Sequence, residues 1–244
     1  MDWILGIAML VGFAPMFLAM DLVTKNYTYP RVDNPFFKDT TFFGMLVVGI
    51  IEGAVIFFAI RTFYLLEDPL AILYMALIGI IELMAMVVVM NLKRFRGKSD
   101  SIFYGYSLGL GMAAGLAAGF TYSICVAAEA VGSVDWPPVI VYIVLLSISL
   151  TLIFGSCGTN VGEGIARHIP MQYVMQAAIP LVAFNMLFAA LWTSSGIMFY
   201  VLLLAMVALG AFYFHKCLLV NLPAIVREVL KMNGEKRDDI PKSR

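Results

Sequence analysis

The feature that most constrains this chain is a series of long apolar runs. A helix of about 20 apolar residues crosses the bilayer's hydrocarbon core, which is about 30 Å thick. Hydrophobic residues make up 62% of the chain and charged residues only 13%, which is more apolar surface than one soluble core can bury. The sequence therefore predicts an all-α fold, a polytopic membrane helix bundle. About seven transmembrane helices are expected, over residues 3–23, 41–63, 70–92, 103–130, 138–154, 171–192 and 197–220.

The distribution of Lys and Arg predicts how the bundle is oriented. Of the 16 basic residues, only Arg61 falls on the side that carries the loops after spans two, four and six. Cytoplasmic loops hold the excess of positive charge. We therefore expect the N-terminus outside and the C-terminus inside, in the cytoplasmic membrane of a prokaryote. The chain divides into a seven-helix transmembrane domain, 1–220, and a cytoplasmic interfacial helix with a charged tail, 221–244.

The composition limits the partners and cofactors of the chain. The lipid bilayer is the expected partner, and no folded soluble module is present to bind nucleic acid. Cys125, Cys157 and Cys217 lie in or beside apolar segments without C-x-x-C spacing, and His168 and His215 fall near span ends. These positions predict packing and interfacial roles. We expect neither a metal nor another cofactor.

Two glutamates lie near the middle of apolar runs, in matching Gly-Ile-Ile-Glu contexts. They are Glu52 in span two and Glu82 in span three. A charged group at the bilayer centre costs about 2.5 to 3.5 kcal/mol on insertion scales, so such a residue usually has a function or a partner. Because adjacent spans run in opposite directions, the two acids can approach each other. Alternatively, each is a neutral acid bonded to a neighbouring backbone carbonyl.

Span four carries glycines at small-x-x-x-small spacing. Such spacing lets another helix approach closely, and close approach matters in lipid because the bilayer supplies no hydrophobic driving force between helices. We predict helix packing through these positions, which are Gly105, Gly109, Gly111, Gly115 and Gly119.

The same region resembles a known family. Residues 100–105 read Asp-Ser-Ile-Phe-Tyr-Gly, and residues 109–114 read Gly-Leu-Gly-Met-Ala-Ala. After a mid-span acid and a short basic loop, these strings resemble the PrsW family of intramembrane proteases. The resemblance implies paired glutamates and histidines that activate water, directly or through a metal. Glu82 corresponds to the second acid of the family pair, and Asn185 to the asparagine of its late motif.

Most of the family's catalytic positions hold other residues in this chain. Ile81 replaces the first acid of the pair, Gly115 and Leu116 fall at or near its Glu-Asn element, and Leu181 replaces the last histidine. We therefore interpret the chain as a non-catalytic PrsW-like protein, a pseudoenzyme. On this interpretation its glycine faces scaffold or bind other membrane proteins, or build a homo-oligomer.

Two other functions stay open. One is an active intramembrane glutamic or metalloprotease that uses Glu82, Glu52 and Asn185 in a rearranged site. The other is a proton-coupled transporter or channel in which Glu52 and Glu82 titrate.

A second polar segment lies between spans five and six, at residues 155–167. It combines four glycines with the polar candidates Ser156, Thr159, Asn160 and Glu163. Irregular backbone at membrane depth is tolerated where it is buried or lines a hydrated cavity. The segment therefore predicts a broken or re-entrant helix beside a polar cavity, with a flexible cytoplasmic turn as the alternative.

Overall fold

A computed structural model describes residues 2–132, 135–234, 237 and 240. Within these ranges every regular element is helical, and seven helices are long and apolar enough to cross a membrane. The predicted seven-span bundle is confirmed. In chain order the helices are α1 (Asp2–Thr24), α2 (Asp39–Thr62), α3 (Ala71–Met90), α4 (Ser101–Val131), α5 (Trp136–Ala166), α6 (Pro170–Thr193), α7 (Ile197–Phe214), a π-helical segment (His215–Asn221) and α8 (Leu222–Met232).

Helix α4 lies at the centre of the bundle and packs against α5, α2 and α1. On one side, its Gly111 and Gly115 lie against the backbone of α2. A Cβ atom at Gly115 would stand 2.5 Å from the carbonyl oxygen of Ile50. In return, Gly49 and Gly53 of α2 lie against the backbone of α4. Helices in such contact gain van der Waals and Cα–H···O interactions along their backbones.

Helix α5 meets the other side of α4 in the same way, and this contact corrects the prediction for residues 155–167. Helix α5 continues to Ala166 without a break, so the segment is neither re-entrant nor a turn. A Cβ atom at Gly105 would lie 2.9 Å from the Cα atom of Gly162, and Gly109 faces Gly158. The glycines that favoured a break are thus contact points, and packing offsets their low helix propensity.

Hydroxyl groups of α4 also bond the backbones of the helices around it. The Tyr106 hydroxyl donates to the carbonyl oxygen of Ala19 at 2.6 Å, and the Ser107 hydroxyl donates to that of Phe42 at 2.6 Å. Both side chains are buried. These bonds hold α1 and α2 in register against α4 while satisfying hydroxyls that lipid cannot solvate.

The remaining helices form an outer layer. Helix α3 packs against α6, and α7 packs against α5 and α6. The predicted segment 221–244 starts at the last residue of the π-helical segment, Asn221, and continues directly as α8. One face of α8 is buried, including Val226 and Val229. Most of the charged tail lies outside the described residues, but Arg237 donates to the carbonyl oxygen of Asn34 at 2.5 Å.

The α2–α4 contact predicts a strong position dependence of substitutions along α2. Gly49→Val places side-chain atoms against the carbonyl oxygen of Leu108, so we expect it to lower the free energy of unfolding by about 1 to 3 kcal/mol. Gly44→Val, on the same helix with no atom within 4 Å of its Cβ position, is the matched control and should change stability by less than about 0.5 kcal/mol. Unfolding by SDS in mixed micelles measures both. Equal losses for the two variants would contradict the packing described.

Candidate functional site

The glutamate of span three forms a buried hydrogen bond with the asparagine of span six. The Asn185 amide Nδ2 donates to Glu82 Oε2 at 2.7 Å across the α3–α6 interface. Glu82 is 1% exposed and Asn185 is 3% exposed. Gly79, one turn before Glu82, makes room for this bond, because a Cβ atom there would lie 2.8 Å from Asn185 Nδ2. The structure therefore brings together two of the three residues considered for catalysis.

Glu52 lies elsewhere in the bundle. Helix α2 packs mainly on α4 and touches α3 only sparsely, and no hydrogen bond joins Glu52 to Glu82 in the part of the chain that is described. The Glu52 side chain is half-buried, and its Oε2 atom is buried without a partner among the described residues. The two glutamates thus occupy different packing environments.

The positions that the resemblance compares with other catalytic residues hold residues without catalytic side chains. Ile81, in place of the first acid, is 54% exposed, and the other three lie in packed contacts. Gly115 lies against the backbone of α2, and Leu116 and Leu181 are buried apolar side chains. Within the described ranges, no group of three or more His, Cys, Asp or Glu side chains could hold a metal ion. His168, just after α5, lies against Gly97 of the α3–α4 loop. None of these groups is positioned to act with Glu82.

The glycine faces of α4 are occupied inside the chain. Gly105 and Gly109 contact α5, Gly111 and Gly115 contact α2, and Gly119 lies against the ring of Phe57. These glycines therefore pack helices of the same chain, which corrects the expectation that they bind other membrane proteins. A partner has to use another surface.

Asp100 is the first residue of the family-like string and lies just before α4, outside the spans. Burial raises the pKa of its carboxyl, while the Tyr104 hydroxyl and Lys98 act in the opposite direction. Its Oδ1 atom is buried without a partner among the described residues. The family-like string thus begins just before α4, at a desolvated carboxyl on the loop that joins α3 to α4.

Two of the four polar candidates on α5 line a cavity, and two do not. Asn160 and Glu163 border a cavity of about 770 Å³ formed with α6, α7, the π-helical segment and α8. We call it the basic-side cleft, because it opens near the chain ends and loops that carry the Lys and Arg excess. Ser156 and Thr159 instead donate to the carbonyl oxygens one turn earlier in α5, at 2.7 and 2.8 Å.

Residues that sequence reasoning missed complete this cleft. The Asn160 amide donates to the Tyr213 hydroxyl, and Lys216 of the π-helical segment also lines the cavity. At its edge Arg167 forms ion pairs with Glu163 and Glu228, each at 2.7 Å. The Glu163–Arg167 spacing of four residues is a signal available in the sequence. The partner on α8 lies 61 positions away, and no local pattern marks it.

A comparison of the chain with protein-family models, curated proteins and solved structures gives no match. The fold defines the class, a seven-helix multi-pass membrane protein. The resemblance to PrsW proteases stays a prediction that rests on the residues quoted for it.

The Glu82–Asn185 bond predicts energetic coupling between α3 and α6. Asn185→Leu leaves the Glu82 carboxyl unpaired in the bundle, and Glu82→Met leaves the Asn185 amide unpaired. The double variant should therefore lose less stability than the two single losses added together. We expect a coupling of about 0.6 to 1.7 kcal/mol, measured by SDS unfolding.

The conservative variant Glu82→Gln is the control for this cycle. The side-chain carbonyl oxygen of the introduced glutamine still accepts from Asn185 Nδ2, so the loss of stability should be smaller than that of Glu82→Met. If the stability losses of the two single variants add up to that of the double variant within about 0.3 kcal/mol, the result would contradict the hydrogen bond.

Proposed function

We propose that this chain is a non-catalytic, PrsW-like protein of a prokaryotic cytoplasmic membrane, with its N-terminus outside, that binds a transmembrane helix of another membrane protein. The environment of Glu82 supports the proposal that the chain is non-catalytic. Glu82 is 1% exposed, and its carboxyl accepts a hydrogen bond from Asn185. A general base has to reach its substrate or a water molecule, and Glu82 is enclosed by packed helices.

The observation that carries the binding part is an apolar slot on the lipid-facing side of the bundle. The slot has a volume of about 500 Å³ and lies between α1 and α7, which both pack against α5. Leu10 and Leu18 line it from α1, Ile148 and Thr151 from α5, and Phe214 from α7. We call it the α1–α7 slot.

A buried hydroxyl in this slot lacks a hydrogen-bond partner. Thr151 is 1% exposed, and its Oγ1 atom has no partner among the described residues. Thr159 on the same helix donates to the carbonyl oxygen four residues before it, so Thr151 departs from the local pattern. An unmet buried hydroxyl costs about 1 to 3 kcal/mol. A partner helix recovers that cost when the Thr151 side chain changes rotamer, turns its hydroxyl into the slot and meets an acceptor on that helix.

The α1 wall of the slot is fixed by a proline. Pro15 has no N–H to donate, which frees the carbonyl oxygen of Val11 from the helix ladder. The Ser147 hydroxyl of α5 donates to that oxygen at 2.7 Å. This bond holds α1 against α5 at one end of the slot, so its shape is set before a partner arrives.

The chemistry of the slot favours a helix over a lipid. Of the residues that line it, Thr151 alone has a polar side chain, and it lies midway along α5. A lipid headgroup needs polar partners at the membrane surface, and this slot supplies none. A closely packed helix brings backbone carbonyls and small polar side chains to that depth, where Thr hydrogen-bonds across helices.

Photocrosslinking in intact cells tests this proposal. A photoreactive phenylalanine at Leu18, which is 72% exposed in the slot, should give one adduct whose cross-linked peptide maps to a membrane span of a second protein. The same group at Val88 of α3, 67% exposed and outside the slot, should not. Thr151→Val should lower the Leu18 adduct about threefold or more, because it removes one interhelical hydrogen bond.

Thr121→Val is the matched control, since Thr121 is also 1% exposed and unpartnered among the described residues but does not line the slot. It should leave the adduct unchanged. An adduct of twice the mass of the chain assigns the slot to a second copy and contradicts the proposal. Adducts with lipid alone, or none, contradict it as well.

A further inference from the structure

We propose that the basic-side cleft binds one phospholipid whose headgroup carries both a phosphate and a primary amine, the phosphoethanolamine class. The cleft is separate from the α1–α7 slot and lies between α6 and α7, with α8 at its mouth. Its volume of about 770 Å³ is within the usual range for small-molecule sites. It differs from the slot in having a charged end and an apolar end.

The charged end matches a zwitterionic headgroup. Lys216 is exposed at the cleft and offers an ammonium group to phosphate. Glu228 also lines the cleft, with its side chain 63% exposed, and offers a carboxylate to an amine. Arg167 pairs with both the buried Glu163 and Glu228, each at 2.7 Å. One guanidinium is thus shared by two carboxylates, which leaves one net negative charge at the cleft beside the ammonium group of Lys216. A headgroup with one phosphate and one amine matches these two charges, and bonds to charged groups are the stronger ones.

The apolar end matches an acyl chain. Ile179 and Ala183 line it from α6, and Leu209 and Phe212 from α7. The lining of α6 runs from Tyr173 to Ala183, which is about 15 Å at 1.5 Å per residue. This is about half the thickness of the hydrocarbon core. A lipid of a single leaflet is therefore the occupant that fits both the length and the polarity gradient.

The backbone is π-helical at the charged end of the cleft, where we place the headgroup. The π-helical segment His215–Asn221 contributes Lys216, Cys217 and Asn221 to the lining. Such segments are rare and often mark functional sites, because the wider turn changes the direction of the side chains. Next to it, the Asn160–Tyr213 hydrogen bond places an amide and a hydroxyl at the border between the polar and apolar ends.

Native mass spectrometry of the purified full chain in detergent tests the site. The probes are dioleoyl phosphatidylethanolamine, phosphatidylglycerol and phosphatidylcholine, titrated separately. We expect phosphatidylethanolamine to bind about tenfold more tightly than the other two, because its amine adds a charge-assisted hydrogen bond to Glu228. Lys216→Gln should weaken its binding about tenfold by removing the phosphate contact.

Matched variants separate the cleft from general surface effects. Ala183→Trp fills the apolar end and should abolish the preference, whereas Ala211→Trp on the exposed face of α7, outside the cleft, should keep it. Lys231→Gln on α8 removes a basic residue that does not line the cleft and should also keep it. Equal affinity for the three lipids overturns the proposal, as does tighter binding of phosphatidylglycerol, which defines an anion site. Equal effects of the two tryptophans overturn it too.

Discussion

The bundle depends on backbone contact between α4 and its two neighbours. Lipid gives helices no hydrophobic reason to associate, so helices in a membrane must gain from close packing and hydrogen bonds. Here Gly111 and Gly115 admit α2 on one side, while Gly105 and Gly109 admit α5 on the other. A larger side chain at any of these four positions would separate a helix pair, and the outer helices would lose the surface on which they pack.

This core explains where the polar groups lie. Because α4 and α5 are held together by glycines, the buried end of α5 can carry Asn160 and Glu163 toward a cleft rather than toward lipid. Helices α3 and α6 pair with each other away from the glycines of α4, and their polar side chains, Glu82 and Asn185, form a hydrogen bond with one another. The mid-span acid Glu82 is thus stabilised by a single amide partner, which favours a structural role for this residue.

The sequence predicts the number and type of helices well, because apolar length alone identifies spans of this kind. The sequence-based prediction is wrong at residues 155–166. Taken alone, the glycines there predict a break in the helix, but α5 is continuous because two of these glycines pack against Gly105 and Gly109 of α4. Its place in an apolar run singles out Glu82, and the resemblance singles out Asn185, yet their bond joins positions 103 apart. The missing partner of Thr151 and the cleft at Lys216 depend on which helices are neighbours, and local patterns carry no such information.

The most direct measurement of the central claim, that Glu82 is a structural acid, is a cleavage assay in liposomes. The purified chain is reconstituted with a pool of labelled single-span membrane peptides, beside Glu82→Gln, whose side chain keeps an acceptor for Asn185. We expect the parent chain to yield no more cleaved peptide than the variant does. Robust cleavage that Glu82→Gln abolishes would contradict it and make the chain an intramembrane peptidase.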